Sequence, residues 1–337
     1  MNLEQAYYEL KFEIAFRDTK GSAFQDFFNR LMGLAYKADF MACRPWGREG
    51  DRKNDGFLKS KRRLFQVYAP NEMTKSKAIK KITEDFQGAK AYWGEHFDTW
   101  VFVHNATDGL PPHVQKYLLD FEKENTAIVL EPWGLEELRS VFRRLSPEDL
   151  ESWFGPAPTK ETKLGFEDLR IVLARISAKN APPDQSIRDV PMGKIEANAL
   201  SESVAILLKD GMTKAPLVEA FFAKGRNADF GERIAESFRE QYKSLGEKPT
   251  PDEIFSELQG WVGGQDRGTP EHELAVLAVL AYYFERCDIF TIKQQPRFRA
   301  VGWISEAHPP SPLCIRDSDV RMRRWFIYSC WILRILS

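Results

Sequence analysis

The sequence changes character near residue 155, and this change constrains the fold more than any other feature. Before it, helical patterns alternate with short apolar strand patterns, as is typical of an α/β layer. A segment rich in proline and small residues follows at 155–159, and after it the strand patterns stop. We therefore predict an α/β domain over residues 1–155, a linker over 156–163 and an all-α domain over 164–337.

The N-terminal patterns predict one sheet covered by helices. Helices are predicted over 22–37, 75–92 and 112–122, and strands over 40–44, 55–58, 64–68, 100–104 and 127–130. The helix between the last two strands favours a parallel pairing of those strands. Beyond the linker only helical stripes occur, and the almost entirely apolar run 274–284 predicts a helix that is buried on all sides.

One segment of the α/β region carries candidate chemistry. Asp55 stands beside Gly56 at the start of a predicted strand, and the next predicted strand carries Gln66 and Tyr68 on one face, because alternate strand residues point the same way. This arrangement resembles the nuclease motif of the restriction-endonuclease-like PD-(D/E)XK superfamily. The resemblance implies that fold, with Asp55 as the metal-binding aspartate and Gln66 at the acid-or-glutamine position. Tyr68 stands where the family has lysine, and Gln25 where its preceding helix usually offers glutamate.

These two departures predict a degenerate site. Phosphodiester cleavage needs hard cations held by oxygen ligands, and Asp55, Gln66 and the carbonyl of Val67 are the candidate ligands. Tyrosine is neutral at pH 7, so Tyr68 does not supply the charge of the family's lysine. We expect Mg²⁺ as a cofactor only if the site is active. That alternative, a metal-dependent DNA endonuclease, requires a migrated lysine, for which the candidates are Lys75, Lys77, Lys80 and Lys81.

Charge is locally uneven. The whole chain has a formal net charge of -1, but residues 44–90 hold thirteen Lys or Arg against six acids, a balance of +7. A basic segment beside a candidate metal site suits a phosphate backbone, whereas the same charges can also lie on an ordinary solvated surface. The candidate nucleic-acid-binding residues are Arg52, Lys53, Lys61, Arg62, Arg63, Lys75 and Lys77.

Several classes of protein are disfavoured. The four cysteines are scattered without Cys-x-x-Cys or histidines at metal-ligand spacing, which argues against a zinc site and a disulfide framework. No signal peptide pattern and no apolar stretch of membrane-spanning length occur. We expect a cytoplasmic protein without membrane contact.

The C-terminal part carries a second resemblance, based on 195–201, 230–242 and the aromatic block 281–290. These segments are similar to the C-terminal module of ABC-three-component bacterial conflict systems. The resemblance implies partnership with a small middle component and an ABC-type ATPase related to DNA-repair ATPases. We accordingly predict a component of an anti-phage defence system, whose N-terminal domain binds nucleic acid, with DNA expected, and whose helical domain joins protein partners.

Other interpretations stay open. A pure protein-interaction module without nucleic-acid contact is one, and homo-oligomer formation is a further possibility. The tail 321–337 is basic and then strongly apolar. We favour its docking within the protein over an interfacial membrane anchor or a partner-docking helix.

Overall fold

The computed structural model describes residues 1–43, 52–177, 198–225, 229–246, 249–264 and 268–286. Some of the sequence predictions concern residues outside these ranges, namely 44–51 (which include Arg44), 195–197, 287–290 and the tail 321–337. The α/β part contains α1 (Leu3–Asp18), α2 (Gly21–Tyr36), β1 (Phe40–Ala42), β2 (Gly56–Leu58), β3 (Arg63–Tyr68), α3 (Lys75–Trp93), β4 (Thr99–His104), α4 (Pro112–Glu124), β5 (Val129–Trp133), α5 (Leu135–Phe142) and α6 (Pro147–Phe154).

The five strands form one mixed sheet in the order β1-β2-β3-β4-β5. β2 runs antiparallel to both β1 and β3, while β3, β4 and β5 are parallel to one another. The predicted α/β character and the parallel pairing of the last two strands are therefore confirmed. The restriction-endonuclease-like topology itself stays a prediction.

Strand alternation gives the sheet two apolar faces. Phe65, Val101 and Val103 belong to a core that includes α1, α2 and α5. Leu64, Trp100 and Phe102 point to the other face, which α3 and α4 cover. A side chain on β3 therefore lies under α2 or under α3 according to the parity of its residue number.

The remaining described elements are helical: α7 (Phe166–Ser177), α8 (Glu202–Met212), α9 (Ala215–Lys224), α10 (Phe230–Leu245), α11 (Pro251–Gly263) and α12 (Pro270–Arg286). Every residue of α12 from Glu273 to Phe284 is buried, which confirms the predicted fully buried helix. Gly211 of α8 lets the two helix backbones approach, since an added Cβ would lie 2.4 Å from the carbonyl oxygen of Leu277 in α12.

α1 connects the two parts of the chain. It packs mainly against α8 and also contacts α5 and α11. Its Glu9 and Glu13 pair with Arg139 of α5 at 3.4 Å, and the Tyr8 hydroxyl donates to the carbonyl of Gly155 at 3.1 Å. One continuous core thus includes residues on both sides of the predicted linker. The division into domains at 156–163 stays a prediction.

None of the helices in the described residues has the length and apolar character that crossing a membrane requires.

Candidate functional site

Asp55 connects the sheet to α2. It immediately precedes β2, and its backbone N–H donates to the carbonyl of Phe65 at 2.9 Å. Its carboxylate is buried, with 4% of the residue exposed. Oδ1 accepts a hydrogen bond from Gln25 Nε2 at 2.6 Å, and Oδ2 accepts one from the backbone N–H of Val67 at 2.7 Å. The structure therefore brings Asp55 and Gln25 together and fixes both oxygens of the carboxylate.

Gln66 and Tyr68 lie on the other face of β3. They alternate with Phe65 and Val67, so their side chains point toward α3. The ring of Tyr68 packs 5.9 Å from that of Phe102 within the core of this face. Gln66 is buried, and its Oε1 has no hydrogen-bond partner among the described residues. The strand thus separates these two side chains from the Asp55–Gln25 pair.

Among the described residues, the groups that contact the Asp55 carboxylate include two N–H donors, which do not fit Mg²⁺. A hard cation of this kind takes an octahedral shell of oxygen ligands, several of them waters. Asp55 supplies one carboxylate, but the structure directs two N–H donors at it, and Val67 contributes its N–H rather than its carbonyl oxygen. In the described parts of the chain, no three His, Cys, Asp or Glu side chains gather where they could hold a metal ion.

A charged cluster on α3 was missed from the sequence. Asp85 of α3 is completely buried, and it pairs with Lys53 at 2.9 Å and with Lys81 at 2.8 Å. The i, i+4 spacing of Lys81 and Asp85 is the sequence signal that points to this pair. Lys80 likewise pairs with Glu84 at 3.7 Å, so two of the four candidate migrated lysines are ion-paired along their own helix.

The predicted nucleic-acid-binding cations do not form one group. Arg62 pairs with Asp98 at 2.7 Å and Arg63 with Glu131 at 2.9 Å, near the start of β3. Lys61 is exposed at the same end of this strand. The first turn of α3, beyond the other end of β3, carries Lys75 and Lys77, which are exposed as well.

Arg52 lies beside the last turn of α3. Its guanidinium is 5.2 Å from the centre of the Tyr92 ring, and its carbonyl accepts from Trp93 Nε1 at 3.1 Å. Tyr92 is 54% exposed. A cation and an aromatic ring are therefore exposed side by side at this position.

His104 ends β4 in direct register with Tyr68. The ring is buried, and its Nδ1 accepts from the N–H of Ala106 at 3.3 Å. Burial lowers the pKa of His104 to about 4, although the carboxylate of Glu137 acts in the opposite direction. This histidine is neutral at pH 7, and its hydrogen bond with Ala106 stabilises the loop that follows β4.

The C-terminal part of the chain matches the model of a known family. Residues 167–291 match the model of C-terminal domain 10 of the ABC-three component (ABC-3C) systems. The match begins in α7 and includes all described helices that follow it. It supports the resemblance predicted for this part and points to a component of such a conflict system. Comparisons with curated proteins and with solved structures gave no match.

Proposed function

We propose that this protein is the component of an ABC-3C defence system that grips nucleic acid, expected to be DNA, without cutting it. The helical part joins the chain to the other components, and the α/β part contacts the phosphate backbone. The family match over 167–291 is the observation that supports membership of the system. The other parts of the proposal rest on the geometry of the α/β layer.

The state of Asp55 supports loss of cleavage. A carboxylate that accepts from Gln25 and Val67 serves as a structural link, and Tyr68 packs on the far face with Phe102. We expect no cleavage of plasmid or linear DNA with Mg²⁺ or Mn²⁺. Cleavage that disappears in Asp55→Ala would overturn this part of the proposal and favour the active endonuclease. Cleavage that persists in that variant would come from a contaminant.

Exposed cations support contact with nucleic acid. Lys61, Lys75 and Lys77 are exposed, whereas Arg62 and Arg63 are engaged with carboxylates. The three lysines are therefore better targets for mutation than Arg62 and Arg63. Arg52 and Tyr92 add a cation next to an exposed ring, a combination on which an unpaired base can stack.

A salt series on the full-length protein tests this contact. Lysine–phosphate contacts release counterions, so we expect binding of a labelled DNA duplex to weaken steeply as salt rises. Changing Lys61, Lys75 and Lys77 together to Gln should lower the magnitude of the salt slope by about 3, with an affinity loss that does not depend on sequence. The matched control changes Lys160, Lys163 and Lys209, which are exposed lysines after α6.

Three results would contradict nucleic-acid binding. They are the absence of DNA or RNA binding at low salt, an unchanged affinity in the Lys61/Lys75/Lys77 variant, and an equal loss in the control variant. The interaction-module function would then take its place.

The helical part is proposed to join the ABC-type ATPase and the small middle component. Co-expression of the full chain with these two proteins should yield one complex on size-exclusion chromatography. Migration of the chain apart from both proteins would contradict this assignment, whatever the result with DNA.

A further inference from the structure

A cavity of about 110 Å³ lies where α1 meets α11 and the first turn of α12. Four polar side chains line it: Tyr7 and Lys11 from α1, Gln259 from α11 and Glu273 from α12. The other residues that line it are Phe154, Pro156, Gly260, Gly263, Gly264 and Gly268. The cavity is remote in sequence from Asp55 and the basic segment, and the proposed function does not use it.

Gln259 is the strongest sign that the cavity takes a ligand. The residue is 4% exposed, and neither its Oε1 nor its Nε2 has a hydrogen-bond partner among the described residues. A buried amide left unpaired is unfavourable, because it has lost its hydrogen bonds to water without replacing them. Because this amide lines the cavity, an occupant with both a donor and an acceptor would satisfy it.

Opposite charges line the same space. The Lys11 ammonium lies 5.1 Å from the centre of the Tyr7 ring. Burial and the neighbouring Glu273 carboxylate raise the pKa of Tyr7 well above its ordinary value, so the phenol stays protonated and donates a hydrogen bond to Glu273. Among the described ion pairs, none joins Lys11 to Glu273. Opposite charges on the walls of one cavity suit a small occupant that carries both signs.

We propose that this cavity binds a small zwitterion of the α-amino-acid class. The ammonium group of the ligand lies against Glu273, and its carboxylate lies against Lys11 and the amide N–H of Gln259. The cavity of about 110 Å³ is several times the roughly 10–15 Å³ that a single water needs on the same measure, so a small molecule can be accommodated.

Gly260 supplies a variant that blocks the cavity without removing a polar group. It lies inside α11 and lines the cavity, and an added Cβ would meet no atom within 4 Å. Gly260 is itself exposed, so it lies at the open side of the cavity, and Gly260→Leu should fold and obstruct the entrance. Gly33 of α2 is the matched control, since it is also helical with open space at its Cβ but lies outside the cavity.

The test measures calorimetric binding and the rise in Tm of the full-length protein with glycine, alanine and serine. Acetate and methylammonium, at matched ionic strength, each present only one half of the zwitterion. We expect saturable binding of at least one of the three amino acids and at least tenfold weaker binding of either half. Gly260→Leu, Gln259→Leu and Lys11→Met should each weaken binding at least tenfold, while Gly33→Leu and Lys209→Met should not.

Three results would overturn the proposal. The first is no binding of glycine, alanine or serine, which would mean that water alone fills the cavity. The second is equal binding of the half-ligands. The third is full binding by Gly260→Leu, which would place the ligand elsewhere. If Gln259→Leu or Lys11→Met fails to fold, as judged by its own melting curve, Gly260→Leu still decides the question.

Discussion

Asp55 joins three elements through one carboxylate. Since Gln25 belongs to α2 and Val67 to β3, removal of the acceptor leaves two N–H donors without a partner in a buried place. We expect Asp55→Ala to lower the free energy of unfolding by about 1–3 kcal/mol. Asp55→Asn keeps one acceptor oxygen and should lose less. Urea unfolding measures both, and an Asp55→Ala protein as stable as the wild type would contradict the structural role of this carboxylate.

His104 makes stability depend on pH. The unfolded chain binds a proton at this residue near pH 6.5, whereas the folded chain binds it only near a pKa of about 4. The unfolded state therefore holds more protons between these values, and stability falls as pH drops from 6.5 to 4. The contribution, at most about 3 kcal/mol, is fully present above pH 6.5.

The variant His104→Gln isolates this effect. The difference in unfolding free energy between wild type and variant should shrink as pH falls through this window, because carboxylates contribute equally to both proteins. A difference that stays constant from pH 7 to pH 4 would show that His104 does not titrate as described.

At the scale of elements, Gly211 sets the distance between α8 and α12. A Cβ there would lie 2.4 Å from the carbonyl oxygen of Leu277 and 2.8 Å from the Cβ of Ala281, so backbone must move to accept it. We expect Gly211→Ala to destabilise the protein by about 1–3 kcal/mol.

The matched control for Gly211→Ala is Gly33→Ala, because nothing lies within 4 Å of the Cβ position of Gly33. It should stabilise α2 by up to about 1 kcal/mol, since alanine is the better helix former. Thermal unfolding that gives the same sign for both variants would contradict the close approach of α8 and α12.

The elements predicted from the sequence are those whose burial follows one period. α2, α3, α10 and α12 each show an apolar stripe or a fully apolar run. α1 was not predicted, because its buried residues, such as Leu10 and Phe12, lie on several faces and follow no single stripe. β5 extends to Trp133 instead of ending at residue 130, since an edge strand tolerates Pro132.

The candidate site could be predicted only in part. Alternation along β3 assigns Gln66 and Tyr68 to one face from the sequence alone. Which helix covers that face, and whether Asp55 turns toward it, depends on packing between residues far apart in the chain. The Lys53–Asp85 pair likewise joins residues that no local pattern connects.

At the scale of the molecule, the continuous core predicts that both parts unfold together. α1 packs on α8 and α11 and also on α2 and α5, so neither part buries its apolar surface alone. Native-state hydrogen exchange tests this: amides of β4 and α12 should become exchangeable in the same denaturant-dependent step. Exchange of α12 at clearly lower denaturant concentration than β4 would contradict it.

The position of α1 determines which segment of this chain could be exchanged for another domain. α1 comes before the sheet in the sequence, yet its main packing partner is α8. In sequence, the strands and helices α2–α6 therefore lie between α1 and its main packing partner. Exchange of this α/β layer for a different domain would keep α1 and join the new sequence at two positions, one at Thr19–Lys20 and one beyond Phe154. A graft that replaced everything from Met1 onward would also remove α1, and with it the surface on which α8 packs.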